Sequence, residues 1–300
     1  GFALMVEGIS FAGVAEIPVV IFLGQRPGPA TGMPSWTEQG DLLFAVHAGH
    51  GEFPKIVLAP GDVEEMLELT TKAFDLADIY QTPVIVVSDK VLCESHISIP
   101  KEKVVSLMTN YHPNRGKTVT STPDRPYLRY RLTPDGISER LLPGYKGIFY
   151  QANSYEHTPD SHTTEEIQPR IDQVHKRNKK IQTYLQHHFK TPQVFGNLDE
   201  SHTVFVSWGG IKGAVLEAQK LLSKKGLETA FIHFTHVHPM DKEKVLPLFK
   251  SGKRYIMVEN NSTAQFAQLL KQQTGVNVSE HVLRYDGRPL FPEDIVNYLG

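Results

Sequence analysis

Apolar residues in this chain follow two spacings that take turns. Short runs rich in Val, Ile, Leu and Phe cover residues 18–23, 55–60 and 82–88, the length expected of strands buried on both faces. Between the last two, Val63, Met66, Leu67, Leu69, Thr70, Ala73, Phe74 and Ala77 recur at helical spacing, with Asp62 ahead of them as an N-cap. Residues 2–15 read as an apolar helix whose glycines and alanines permit close packing on a sheet. The alternation resumes late in the chain, where strands at 202–208, 227–234, 254–258 and 282–285 precede helices at 212–224, 241–249, 263–274 and 292–299. The pattern predicts an α/β fold with two mainly parallel sheets, one in residues 1–195 and one in 200–300, with a linker over 192–201.

Residues 95–169 break the pattern with Pro, Gly, aromatic and polar residues, and read as an irregular excursion with short strands such as 127–132. The helix expected over 170–188 carries a Lys/Arg stripe. With a net charge of −2 and no interleaved aromatics, that stripe reads as a solvated face rather than a nucleic-acid surface. Glu7, mid-helix, and Glu16, at the end of the first helix, read as surface residues.

Composition narrows the function classes. The charge gives no bulk attraction to nucleic acid or acidic membranes, and no apolar run approaches the ~18 residues that span a bilayer. The one cysteine, Cys93, excludes an internal disulfide framework and fits a reducing cytoplasm. It also excludes a four-cysteine iron–sulfur or zinc site within the chain. Trp208-Gly209-Gly210-Ile211-Lys212-Gly213 lacks the dinucleotide fingerprint order, and the next strand ends in Phe234-Thr235-His236 without a ribose-binding acid. His47, His50 and Glu52 have spacing that could suggest a metal, but Gly49, Gly51 and Pro54 favour a helix end and turn lining a cleft. Asp89, at the end of a strand, reads first as a helix cap and second as a ligand contact.

The candidate chemistry lies between residues 18 and 41. A strand runs into Gln25-Arg26, then a loop stiffened by Pro27, Gly28, Pro29, Gly32 and Pro34, then Thr37-Glu38-Gln39-Gly40-Asp41 ahead of a helix. In open α/β sheets ligands bind outside the carboxyl ends of strands, where this loop would hold Arg26 and the hydroxyls of Thr31 and Ser35. The plainer alternative is a connection whose arginine is merely solvated.

Gln25-Arg26-Pro27-Gly28-Pro29-Ala30-Thr31-Gly32-Met33-Pro34-Ser35 followed by Thr37-Glu38-Gln39-Gly40-Asp41-Leu42 resembles the alpha subunit of the 2-oxoacid:ferredoxin oxidoreductases, in their 2-oxoglutarate branch. Glu259-Asn260-Asn261-Ser262-Thr263-Ala264-Gln265 resembles the family's Glu-Gln-Asn-x-x-Gly-Gln, and 151–160 resembles its Glu-His-Asp/Glu loop. The resemblance covers nearly the whole chain and is weakest over 95–143. It implies a pyrimidine-type thiamine-diphosphate domain followed by a transketolase C-terminal-like domain. The family's Tyr-Pro-Ile-Thr-Pro loop and thiamine-contacting glutamate are expected upstream, so Gly1 reads as a cut point. The activity implied is coenzyme A-dependent oxidative decarboxylation of a 2-oxoacid, with electrons passed to ferredoxin. A beta subunit is expected to share the thiamine diphosphate and to hold Mg²⁺ and a [4Fe–4S] cluster, with a gamma segment possible and no metal held by this chain.

In the family the arginine matching Arg26 binds the substrate carboxylate, and the residue at Ser35 beside it shapes side-chain choice. Thr31 joins them as a substrate contact, with Gly32, Glu38, His47, His50 and Asp89 lining the cleft. Ser35 and Trp36 depart from the family's threonine and arginine where it reads its substrate. That leaves 2-oxoglutarate ahead of pyruvate, with a non-catalytic scaffold of the same fold as the other alternative.

Overall fold

In the computed structural model the described residues are all of 1–300 except 110, 120, 122–125, 143, 146 and 147. Helix α1 (Val6–Val14) leads into β1 (Val19–Gln25), and the loop after β1 descends into α2 (Leu42–His47), β2 (Ile56–Leu58), α3 (Val63–Tyr80) and β3 (Pro83–Asp89). Strands β1, β3 and β2 are parallel, with β3 central and buried along its whole length. That burial is why its sequence is a continuous apolar run. Asp62 caps α3 as expected, its side chain accepting from the Glu65 N–H at 2.8 Å.

The excursion contributes α4 (Lys90–Glu94), α5 (Lys101–Thr109) and a short parallel pair, β4 (Thr118–Val119) with β5 (Arg140–Leu141). The strand expected at 127–132 is instead a turn. Its alternation comes from Arg129 and Tyr130, which plug into the base of the first sheet: Arg129 Nη2 donates to the Glu16 carbonyl at 2.6 Å and Tyr130 Oη to the Ala15 carbonyl at 3.3 Å. Long α6 (Ile167–His187) then packs on this region.

The expected linker holds β6 (Gln193–Phe195), an antiparallel edge strand on β8. Three residues are too few for a two-residue period to be legible. The second sheet continues with β7 (Thr203–Trp208), α7 (Lys212–Lys224) and β8 (Thr229–Phe234). Next comes β9 (His236–His238), three residues that pair antiparallel with β2 and so complete the first sheet. The expected helix 241–249 is cut to α8 (Lys242–Val245) and a 3₁₀ turn that contains Pro247. Strand β10 (Arg254–Glu259), helix α9 (Gln265–Thr274), β11 (Glu280–Leu283) and α10 (Pro292–Tyr298) finish the chain. The strand orders are β1-β3-β2-β9 and β11-β10-β7-β8-β6.

Strand β7 shows how the layers share one core. Val204, Val206 and Trp208 join the cluster that runs into the first sheet, while Phe205 packs with Ile211, Val215 and Ile295 on the opposite face. Among the described residues no helix is long and apolar enough to cross a membrane.

Candidate functional site

Strand β1 ends at Gln25, in register with Asp89 at the end of β3, so Arg26 emerges at the carboxyl edge of the first sheet. The chain then loops outward and returns. The Gln25 Oε1 accepts from the Asp41 N–H at 2.8 Å, which closes the base of a compact loop. Inside it, the Met33 N–H donates to the Pro27 carbonyl at 3.0 Å and the Trp36 N–H to the Met33 carbonyl at 3.1 Å. Gly32 sits at φ +53, where an added Cβ would fall 1.8 Å from the Pro27 carbonyl oxygen, so only glycine fits this reversal.

This loop carries Arg26, Thr31, Gly32 and Ser35, all exposed. Arg26 has no ion pair or hydrogen bond among the described residues. Its charge acts on Asp41: burial raises that carboxyl, and the Arg26 guanidinium draws it back down. Glu38, on the returning limb, is raised by burial and then by Asp41. The loop thus presents an unpaired guanidinium and two exposed hydroxyls, with the Glu38 and Asp41 carboxyls of its returning limb raised by burial. Such a donor set suits a carboxylate: a guanidinium grips both oxygens through parallel hydrogen bonds.

The other sequence-predicted residues sit elsewhere. His47 is in the last turn of α2 and His50 lies in the turn beyond it. His50 instead lines a cavity of about 750 Å³ between α1 and α6, with Phe11, Phe53, Arg170 and Arg177. Asp89 is buried; its Oδ1 accepts the Leu92 N–H at 3.0 Å and the Thr37 hydroxyl at 3.5 Å. Burial raises its carboxyl, opposed by those hydrogen bonds. It caps α4 and ties down the loop's returning limb.

The returning limb of the loop is a clamp. Gln39 spends all four polar groups on the second sheet's elements. Its N–H donates to the Asn260 carbonyl at 2.7 Å and its Nε2 to the Trp208 carbonyl at 3.1 Å. Its Oε1 accepts the Asn260 N–H at 3.1 Å and its carbonyl accepts Asn261 Nδ2 at 3.2 Å. Gln265 reaches back, donating to the Gly40 carbonyl at 2.6 Å and accepting the Leu43 N–H at 3.0 Å. Beneath it the buried Glu259 carboxyl accepts from the Phe266 and Ala267 N–H groups and from Asn261 and Trp208. Two motifs more than two hundred residues apart therefore serve one interface, a pairing that neither motif reveals alone.

Two corrections concern charge. Glu16 is wholly buried, not a surface residue; Lys176 Nζ lies 2.5 Å and Lys180 Nζ 2.6 Å from its carboxylate oxygens. Burial would raise this carboxyl, but Lys176, Lys180 and Arg129 hold it well below the usual range. The basic stripe of α6 is accordingly solvated only in part, at Arg170 and Lys179. Gln173, Lys176, Arg177, Lys180 and Tyr184 all point inward, and Arg177 makes a bidentate pair with Glu156 at 2.8 and 2.7 Å. A second buried cluster joins the sheets: Lys212 Nζ contacts Asp62 and Glu65, each at 2.5 Å, and His233 Nε2 meets Glu65 at 3.2 Å.

Residues 1–176 match the family described as pyruvate flavodoxin/ferredoxin oxidoreductase, thiamine diphosphate-binding, and residues 197–289 match the transketolase C-terminal domain. Among curated relatives, the 2-oxoacid:ferredoxin oxidoreductase subunit alpha of Saccharolobus solfataricus is 38% identical over 98% of this chain and 46% of its own length. The 2-oxoglutarate synthase subunit KorA of Methanocaldococcus jannaschii is 30% identical over 86% of this chain and 70% of its own length. The chain thus spans about half the length of that alpha subunit. Among solved structures, the 2-oxoglutarate:ferredoxin oxidoreductase from Magnetococcus marinus, with 2-oxoglutarate, coenzyme A and succinyl-CoA bound, superposes with a TM-score of 0.88. It is 31% identical and matches 99% of this chain and 51% of that one. With its first 176 residues matched to that thiamine diphosphate-binding domain and its later part to the transketolase C-terminal domain, the chain belongs to the pyruvate flavodoxin/ferredoxin oxidoreductase family.

Proposed function

We propose that this chain is the substrate-anchoring part of a 2-oxoacid:ferredoxin oxidoreductase alpha subunit. The complete enzyme would convert 2-oxoglutarate and coenzyme A to succinyl-CoA, releasing carbon dioxide and passing two electrons to ferredoxin. The observation that carries the reading is Arg26: an exposed guanidinium without a partner among the described residues, at a strand's carboxyl end, on a loop closed at its base by Gln25 and Asp41. A 2-oxoacid arrives as an anion, and Arg26 would fix the orientation of its carboxylate while Thr31 and Ser35 border the side chain. The loop is already folded back on itself, so little ordering entropy is lost on binding.

Thiamine diphosphate, when bound, supplies the electron sink for decarboxylation. The residues here fit a supporting share of its site. The loop offers donors for an anion, whereas Glu16, a carboxylate at the head of β1, is consumed by Lys176 and Lys180 and is closed to an aminopyrimidine. In this reading the diphosphate, Mg²⁺ and a [4Fe–4S] cluster belong to a beta subunit, ferredoxin is the electron-accepting partner, and the assembly works in the cytoplasm. A single cysteine, Cys93, supports assigning the cluster to a partner.

The test is Arg26→Lys in the complete enzyme. A lysine keeps the charge and loses the two-point grip, so kcat/KM for the 2-oxoacid should fall about tenfold or more, roughly 1.4 kcal/mol. Turnover close to wild type in an intact complex would sink the assignment.

A further inference from the structure

The Arg26 loop is fastened at its base by its own strand, but its rim rests on a turn contributed by the chain's last hundred residues. The Thr37 N–H donates to the Gly287 carbonyl at 3.1 Å. Gly287 is buried at φ +80 against Met33 and Trp36; an added Cβ would fall 3.0 Å from the Met33 sulfur. The next residue, Arg288, lies flat on the indole of Trp36, its guanidinium carbon 3.2 Å from the ring centroid. The turn itself is braced. Arg284 pairs with Asp286 at 3.0 Å and with Asp294 at 2.7 Å, the Arg288 N–H donates to Asp286 at 2.9 Å, and Asn260 Nδ2 donates to the Arg284 carbonyl at 2.7 Å. Arg284 spends its charge on carboxylates, whereas Arg288 has no carboxylate partner among the described residues. Its Nη1 is buried without an acceptor, so stacking on Trp36 is the contact that keeps it there.

We propose that Arg288 is a positioning residue for substrate binding. Stacked on Trp36, it clamps the rim of the Arg26 loop to the transketolase-type domain and holds the loop in its carboxylate-gripping arrangement. The inference rests on the reading of Arg26 as the carboxylate anchor. Arg288 would act through Trp36, not by touching substrate. Releasing the rim leaves Arg26 in place chemically but adds loop freedom that binding must then freeze out. That loss weakens ground state and transition state alike, so it should appear in KM and leave kcat nearly untouched.

The experiment uses the complete enzyme and whichever of 2-oxoglutarate and pyruvate the wild type turns over with the higher kcat/KM. Arg288→Ala and Trp36→Ala should each raise KM about fivefold or more, with kcat within about twofold. Trp36→Phe, which keeps an aromatic face, should recover most of that loss. The double substitution should be no worse than the poorer single one, because both remove the same contact. Amide exchange across residues 27–37 should quicken about tenfold in Arg288→Ala, while residues 19–25 exchange as before. Unchanged KM and unchanged exchange, or losses that multiply in the double variant, would overturn the clamp. Trp36→Ala removes a side chain that is partly in solvent, so the test survives if Arg288→Ala folds poorly. If Arg26→Lys is impaired and Arg288→Ala changes neither readout, the clamp alone has failed. If Arg288→Ala loosens the loop but Arg26→Lys turns over normally, the carboxylate anchor has failed and takes the positioning role with it.

Discussion

Arg26 stands on an exposed loop with no acceptor among the described residues, whereas Lys176 and Lys180 of α6 close around the Glu16 carboxylate, all three side chains almost wholly out of water. The same kind of charge does opposite work in the two places. A buried charge is costly unless it is paired, and once paired it is spent: it holds the end of α1 and the head of β1 to α6 and has nothing left for a ligand. An exposed, unpaired guanidinium on a stiff loop contributes little to stability and keeps its full capacity for an anion. Function therefore follows unspent charge, and architecture follows charge already neutralised inside.

The sharpest way to break this contrast is Glu16→Gln. It keeps the shape and removes the counter-charge, leaving two buried ammonium groups facing each other. Stability should fall by about 3–5 kcal/mol in urea unfolding, or the chain should fail to fold. Arg26→Lys should change stability by no more than about 0.5 kcal/mol in the same assay. Similar losses from both would erase the distinction.

Acid sharpens it next. Burial lowers His157 to about 4, against the pull of Glu156 and Glu16 and with Arg177 assisting. Burial also lowers His238 to about 4, with Gln273 opposing and Lys55 and His47 assisting. Both are depressed below the ordinary value near 6.5, so the unfolded chain binds more protons in this range. Stability is therefore present above pH 6.5 and is lost as pH falls toward 4. From pH 7 to pH 5 the two together should cost about 3–4 kcal/mol, read as a drop in the urea midpoint. His157→Gln should flatten part of that slope. A midpoint that is level from pH 7 to pH 5 would show that these imidazoles are already charged in the folded chain.

The strand–helix alternation was legible because the inner strands β2, β3, β7 and β8 are buried along their whole length, and a strand such as β3 then writes itself as a continuous apolar run. The Arg26 loop was legible through its Pro/Gly content and family motif. The inward face of α6 was not. Gln173, Lys176, Arg177, Lys180 and Tyr184 have helical spacing, but polar residues at core positions look like solvent-facing ones until Glu16 and Glu156 are placed beneath them. Arg288 and Trp36 were hidden for the same reason: their contact spans most of the chain and leaves no local period. β9 escaped because it is three residues long and pairs with a strand far back in the sequence.

Gln39 tests the boundary between the two kinds of region. It lies on the loop's returning limb and belongs by sequence to the motif that marks the family, yet every polar group it owns is spent on Trp208, Asn260 and Asn261. Gln39→Ala would leave the buried Asn260 N–H and Trp208 carbonyl without their side-chain partner. The expected cost is about 1–2 kcal/mol in urea unfolding. A variant of undiminished stability would mean that water replaces the amide, and that the second sheet's elements are not held here.

The smallest effect is expected where the geometry is best and the burial is least. Arg254 and Glu280 form a bidentate pair between β10 and β11, with Nε to Oε1 at 3.0 Å and Nη2 to Oε2 at 2.7 Å. Each side chain is about a third exposed, 36% by area. The pairing lowers the Glu280 carboxyl and raises the Arg254 guanidinium, so by geometry alone it rivals Glu16. Water screens it, however, and both partners are well solvated when the chain is unfolded. Glu280→Gln should therefore cost only ~0.2–1 kcal/mol, and less in 1 M salt than at low ionic strength. A loss of 3 kcal/mol or more, insensitive to salt, would show that geometry rather than burial decides what an ion pair is worth in this protein, and the contrast between Glu16 and the exposed charges would fall with it.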